Sequence, residues 1–377
     1  MKIAVIGPLE LPKAQGGVTR HCEEIYARIA ASGEHEVTVL CAGGPGPDTS
    51  YRGMRIRKLR TARSQGWERI TYALAAALAA TRGDFDVVHF HSFASSAFCM
   101  LPKLRGRRIV TTAHRIEWQD AKWSRFTRWF LRYCEWAAVR FSDALLAVSQ
   151  ALKDDLQRRH ARATRTMVVS NGVTRPEPAP PETLAELGLR SGHYFVVVGR
   201  LVPEKGVDVA VAAQLALVQQ GTAADGAVLA VVGAPRRAGS PIQAELEHQA
   251  APAGDRVRFL GIQDPSVVTL LYDHAAALVA PSYQEGQPLV VAEAMASGCC
   301  VVASDIPAHL ELLADAALTF TAGDAPALAD AMRTVLADPA AAHALGRRGK
   351  ARFETGDYSW DTASEVTESV LASTLAR

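Results

Sequence analysis

Short unbroken runs of apolar residues recur along the chain, and longer stretches between them bring apolar positions back every three or four residues. The first half offers KIAVIG, EVTVLCA, MRIRKL, DVVHFHS, RIVTTAH, ALLAVS and MVVSNG. The second half offers YFVVVGR, AVLAVVGA, RVRFLG, AALVAPS, CCVVASD and LTFT. Continuous apolar runs suit parallel strands covered by helices on both faces. Their alternation with helical stretches predicts two doubly wound α/β domains. The Pro-rich stretch NGVTRPEPAPPE, from Asn171 to Glu182, reads as the junction between them.

In open parallel sheets ligands sit beyond the carboxyl ends of the strands. The polar residues that follow strands are therefore the candidates: Gly16 and Gly17, His89 and His91, His114, Arg200 with Lys205, and the loop at Glu285. The stretch EGQPLVVAEAMASG, from Glu285 to Gly298, predicts a helix from about Leu289 to Ser297. Pro288 suits its first position and Gly298 its stop. Glu285 then stands before the helix N-terminus, and Glu293 lies roughly 7–8 Å further along the axis. A helix N-terminus suits phosphate, and carboxylates on either side of it suit hydroxyls. Phosphate flanked by hydroxyl-bearing rings describes a sugar nucleotide, with Glu285 at the sugar and Glu293 at the ribose. A capping carboxylate with a surface glutamate is the plain alternative. In GRLVPEKGVD, Arg200 and Lys205 flank a loop at a strand end and together suit a diphosphate. The plain alternative there is two exposed cations, one paired with Glu204.

Composition narrows the class. With 377 residues, 49% apolar and 21% charged, the chain reads as an ordinary two-domain soluble enzyme. No apolar run approaches the roughly 20 residues that span a bilayer. MKIAVIGP reads as a first strand with no cleavable signal peptide after it. The cysteines Cys22, Cys41, Cys99, Cys134, Cys299 and Cys300 form no CxxC pair, which suggests reduced thiols and a cytoplasmic location. The net charge of +2 divides unevenly, with 27 Lys and Arg against 15 Asp and Glu in residues 1–170 and 14 against 24 in residues 171–377. The basic first half suggests an anionic partner, with solvated surface charge as the plainer account. Residues 115–141 mix Trp, Phe and Arg at helical spacing, and two readings stay open. One is core packing; the other is an interfacial helix on an anionic membrane. Asp84–Asp86 reads as a turn rather than a metal motif. His21 reads as solvent-facing or as support behind the site. His89 and His91 are expected to point apart along their strand.

These residues carry a resemblance. GRLVPEKG followed by EGQPLVVAEAMASG resembles the retaining glycosyltransferases of family 4, whose E-x7-E element is met by Glu285 and Glu293. The loop at Gly16 and Gly17, TTAH ending at His114, and SNGV are similar to the same family. HRIEWQDAKW resembles its rhamnosyltransferase-like bacterial branch, in which Gly usually follows the histidine; here Arg115 stands instead. The resemblance implies a GT-B fold of two Rossmann-like domains facing a cleft. Residues 1–172 would form the acceptor-binding domain, 173–182 the linker and 183–359 the nucleotide-sugar-binding domain. Residues from about 360 to 377 resemble the last helix of the family, which crosses back to the first domain, with Trp360 as its anchor.

By the same resemblance Arg200 and Lys205 hold the donor diphosphate, Glu285 contacts the sugar and Glu293 the ribose. His114 reaches the sugar near the reacting carbon. Gly17, beside Gly16, lets backbone approach the donor. Phe259 and Leu260 lie near the base, and Gly286, Gln287, Pro288 and Leu289 complete the donor loop. The implied reaction is metal-independent transfer of a hexosyl group, with retention, from a nucleotide-diphosphate sugar to a hydroxyl acceptor, without a cofactor. A glycan, a lipid-linked glycan or a small natural product would accept it, the first two in bacterial surface polysaccharide or glycolipid synthesis. Further alternatives are a phosphorylase, a transferase acting on an aminocyclitol-type acceptor, and a non-catalytic partner that binds a nucleotide sugar. The expected location is cytoplasmic, at the inner membrane face if the basic half meets lipid. No nucleic acid is expected as a partner.

Overall fold

A computed structural model describes residues 1–12, 16–44, 46–62, 67–120, 123–221, 226–235 and 239–376. The chain divides into two compact units, Met1–Gly172 with Tyr358–Arg377, and Val173–Asp357.

The strands of the first unit are β1 (Lys2–Ile6), β2 (Glu36–Gly43), β3 (Thr49–Tyr51), β4 (Met54–Arg60), β5 (Val87–His91), β6 (Arg108–Ala113), β7 (Ala144–Ala147) and β8 (Thr166–Val168). They form one sheet in the order β3-β4-β2-β1-β5-β6-β7-β8. Every pairing is parallel except the β3–β4 hairpin. Alternation along β1 divides the core between two faces. Ile3 and Val5 pack with Ile25 and Tyr26 of helix Gly17–Ala31 and with Trp360 and Leu371 of helix Trp360–Leu375. Ala4 and Ile6 pack with Tyr72 and Ala76 of helix Glu68–Arg82. The Trp360–Leu375 helix thus covers one face of the first sheet, as the family resemblance implied. Its seat is tight, because a Cβ on Gly172 would lie 2.3 Å from the Trp360 nitrogen and 2.5 Å from its Cγ.

The second unit holds β9 (Tyr194–Val198), β10 (Val228–Val232), β11 (Val257–Gly261), β12 (Ala277–Ala280), β13 (Val301–Ser304) and β14 (Leu318–Phe320). Its parallel sheet runs β11-β10-β9-β12-β13-β14. Strand order reverses beside β9, between its neighbours β10 and β12, which is where such sheets open a ligand crevice. Phe195 and Val197 of β9 pack against Ala210 and Leu217 of helix Val207–Gln219. In the first unit the corresponding reversal lies beside β1, between β2 and β5. Both units are doubly wound, and the fold is GT-B.

Candidate functional site

In the second unit the sequence candidates gather at the reversal point. Arg200 follows β9, and Lys205 ends the turn Pro203–Lys205. Glu285 lies in the loop after β12, the strand paired directly with β9. The two loops are fastened together. The Tyr283 N–H donates to the Glu204 carbonyl at 3.0 Å. Gly206 has φ 63°, and a Cβ there would lie 2.1 Å from the Pro281 oxygen, so only glycine fits the approach.

That fastening sets up an ion pair. The Lys205 Nζ donates to Glu285 Oε1 at 2.5 Å, and the Ser282 hydroxyl donates to the same oxygen at 2.8 Å. Lys205 therefore pairs with Glu285. Burial pushes the Glu285 pKa up, but the Lys205 charge and hydrogen bond, His309 and Ser282 outweigh it and hold the carboxyl below the usual range. A narrow crevice lined by Val198, Gly199, Lys205, Pro281, Ser282 and Val290 adjoins the pair.

Gly286 and Gln287 lead into the helix Leu289–Ser297, which Gly298 ends at φ 72°. Pro288 is the residue before the helix, not its first member, and its carbonyl already accepts from Val291 at 3.1 Å and Ala292 at 3.2 Å. The N–H groups of Leu289 and Val290 belong to the first turn, where a helix supplies no internal partner. Glu293, half-buried, accepts from the Tyr272 hydroxyl at 3.4 Å. Phe259 and Leu260 lie on β11, two strands from β9 in the same sheet.

His309 was not visible from sequence. It is buried, and its Nδ1 lies 3.0 Å from the Ser304 carbonyl. Its Nε2 has no hydrogen-bond partner among the described residues. Burial lowers its pKa most, and the Glu285 charge opposes that. A histidine two residues into a short helix, after SDIP, carries no signal of its own.

In the first unit Gly16 and Gly17 begin the Gly17–Ala31 helix. Gly16, not Gly17, has the left-handed φ, at 122°, and a Cβ on it would meet nothing within 4 Å. His114 follows β6 and is buried. Arg115 forks onto the buried Asp120 at 3.0 and 2.8 Å, which occupies it at the position where the bacterial branch has glycine.

One expectation about the histidines is corrected, and two open readings are narrowed. His21 is buried, not solvent-facing, because the inner face of its helix packs on the sheet. His89 and His91 do not point apart: residues two apart on a strand share a face, and their rings stack at 4.3 Å. On the helix Arg125–Phe141, Phe126, Trp129 and Trp136 are 74%, 64% and 49% exposed, so these three are not core. The inward positions are instead held by Leu131, Cys134, Ala137 and Ala138. Asp84 and Asp86 hold Lys2 through its Nζ at 2.6 Å and its backbone N–H at 2.7 Å, the turn role expected of them.

Residues 15–175 match the family described as Glycosyltransferase Family 4, and residues 192–338 match Glycosyl transferases group 1. The alpha-maltose-1-phosphate synthase of Mycolicibacterium smegmatis is 29% identical over 97% of this chain and 98% of that protein. A lipopolysaccharide core biosynthesis mannosyltransferase of Rhizobium leguminosarum bv. viciae is 34% identical over 57% of this chain and 60% of that one. The crystal structure of Anabaena HepE in complex with UDP-glucose aligns with a TM-score of 0.79 at 19% identity, over 99% of this chain and all of that one.

Proposed function

Because this chain is a glycosyltransferase of GT-B fold, with a Glycosyltransferase Family 4 match in its first unit and a Glycosyl transferases group 1 match in its second, we propose that it transfers a hexosyl group with retention from a nucleotide-diphosphate sugar to a hydroxyl acceptor. The observation that carries this is the Lys205–Glu285 pair at the reversal point of the second sheet, beside Arg200 and a helix N-terminus. Arg200, Lys205 and that N-terminus take up the negative charge that develops on the departing diphosphate. Glu285 accepts hydrogen bonds from sugar hydroxyls, and Glu293 from the ribose. His114 meets the sugar near the reacting carbon. The bond from the anomeric carbon to the phosphate oxygen breaks, the acceptor oxygen bonds to the same face, and the acceptor proton passes to the leaving phosphate. UDP-glucose bound to HepE supports a donor of this class.

Glu285→Gln and Glu293→Gln test the assignment. Glu293→Gln should weaken binding of both the donor and the free nucleoside diphosphate, because the ribose is in both. Glu285→Gln should leave nucleoside diphosphate affinity nearly intact and lower turnover. Calorimetry beside steady-state kinetics reads the difference. The opposite pattern reverses the two roles, and no effect in either variant removes both.

The reaction needs no metal, since two cations and a helix terminus already supply the charge. Turnover in excess EDTA should therefore be no lower than turnover without it. A loss restored by magnesium or manganese would overturn this.

The acceptor proposed is a glycan or lipid-linked glycan of bacterial surface polysaccharide or glycolipid synthesis. The similarity to a lipopolysaccharide core mannosyltransferase supports it, and so does one face of the first unit. Phe126, Trp129, Arg132, Trp136 and Arg140 recur three or four residues apart and are all exposed, as is Arg125 beside Phe126. Seventeen helical residues make a stripe about 25 Å long. At its C-terminal end lies a pocket of about 410 Å³ lined by Arg140, Arg162 and Arg165. Aromatic side chains interleaved with arginines suit the boundary of an anionic bilayer. Among the described residues no helix is long and apolar enough to cross a membrane. The six buried, unpaired cysteines support a cytoplasmic location. Co-sedimentation with anionic vesicles should fall as salt rises, because exposed charges are screened over about 8–10 Å at physiological ionic strength. Equal sedimentation with neutral vesicles would defeat the electrostatic attraction.

A further inference from the structure

Four histidines meet inside the first unit, and three of them converge. One ring nitrogen from each of His21, His91 and His114 lies within 4.8 Å of one from each of the others. His21 comes from the Gly17–Ala31 helix, His91 from the end of β5, and His114 follows the adjacent β6. The rings of His21 and His114 meet edge to face at 4.7 Å. We propose that His21, His91 and His114 form a binding site for one zinc-class divalent cation, with a fourth position left open.

Hydrogen bonds around the cluster turn lone pairs inward. His21 Nδ1 lies 2.7 Å from Asn171 Oδ1 and donates to it. That leaves His21 Nε2 as a bare acceptor, and it is buried with no hydrogen-bond partner among the described residues. His91 Nε2 lies 2.9 Å from the Tyr26 hydroxyl oxygen, and in the tautomer this site requires Tyr26 accepts from it. The Tyr26 hydroxyl in turn donates to His89 Nδ1 at 2.5 Å, and His89 Nε2 donates to Thr112 Oγ1 at 2.7 Å. This chain leaves His91 Nδ1 bare. It lies 3.3 Å from His114 Nε2. Two nitrogens on a tetrahedral zinc stand about 3.3–3.4 Å apart when each bond is about 2.0–2.1 Å. A cation would replace that single imidazole–imidazole hydrogen bond, with His114 keeping its proton on Nδ1.

The surroundings match those of known ligating imidazoles. Each ligand histidine usually donates its other ring N–H to a fixed acceptor, which sets its orientation; here Asn171 serves His21 and Tyr26 serves His91. Burial holds His21 near a pKa of about 4 and pushes His91 and His114 well below the usual range. Three imidazoles without a carboxylate favour zinc, copper or nickel over magnesium or calcium. His114 is the most exposed of the three residues, so the open position falls on its side. A cation there would take the lone pair of His114 and act as an inhibitor, which is compatible with turnover in EDTA.

The test titrates chelator-treated, desalted protein with cobalt(II) as a spectroscopic stand-in, then displaces it with zinc. One equivalent should bind with the visible absorption of a tetrahedral site, and zinc should raise the Tm. His21→Ala and His114→Gln should each weaken binding at least tenfold, with folding checked by circular dichroism. Should His21→Ala fail to fold, His114→Gln alone decides. His35→Ala removes the separate surface group Glu34, His35 and Glu368 and should change nothing. No saturable binding, octahedral absorption, or binding lost in His35→Ala but kept in His114→Gln would overturn the site. The experiment reads binding and not transfer, so its failure is distinct from a failure of the transferase reading.

Discussion

Replacing Lys205 or Arg200 with Ala should cut turnover at least about a hundredfold in purified, folded protein. Removing one donor from a preorganised site that stabilises developing charge costs about 3–4 kcal/mol of transition-state energy. The two variants should differ in a second respect. Lys205 lies 2.5 Å from Glu285 and is a main reason that this buried carboxyl stays below its usual pKa. For a carboxyl with a lowered folded pKa, the pair is intact above that pKa and is lost as pH falls through it. Without Lys205, burial dominates and the pKa of Glu285 rises. The acid limb of the pH–rate profile should therefore move to higher pH in Lys205→Ala and stay in place in Arg200→Ala. Lys205→Arg should restore the acid limb without full turnover, since a planar fork does not replace a point charge. Steady-state kinetics across pH, with calorimetry for nucleoside diphosphate, measures both effects. Unchanged rates in either alanine variant would remove the diphosphate clamp.

Gly172→Ala should destabilise the first unit by about 2–3 kcal/mol, the upper range for forcing volume into a packed interior. The added methyl would meet the Trp360 nitrogen at 2.3 Å, its Cγ at 2.5 Å and its Cα at 2.7 Å. Two of these atoms are backbone, so no rotamer change relieves the collision. Urea unfolding should show a lower midpoint. An unchanged midpoint would show that the last helix can shift at little cost.

Most strands were legible because β1, β5, β7, β9, β10, β12 and β13 are short apolar runs, buried on both faces, between helical stretches. The second-unit candidates were legible because glycines, prolines and charges at strand ends have few structural uses together. β3 escaped notice, since TSY is mostly exposed and owes its pairing to the turn before Met54. The histidine cluster escaped for a different reason. His21, His91 and His114 are spread over about a hundred residues, and only the parallel pairing of β5 with β6, under one helix, brings them together. His309 and Asn171 share that character. Their partners are set by packing, which periodicity does not encode. The aromatic face of Arg125–Phe141 was ambiguous because the same spacing serves a core or a surface, and only burial separates them.

The first unit is discontinuous, with Val173–Asp357 inserted before its last helix. On the ribosome, residues 1–172 emerge with one sheet face still waiting for Trp360, Val370 and Leu371 to cover it. The inserted unit is contiguous, and among the described residues the core around Phe195 and Leu217 lies within its own stretch. Residues 1–172 are therefore made before the second unit, yet the second is the earlier of the two that can finish folding. Until the Trp360–Leu375 helix is made, the face that Ile3 and Val5 share with Ile25 lacks part of its cover, and that is the apolar surface a chaperone, or another nascent chain, would meet.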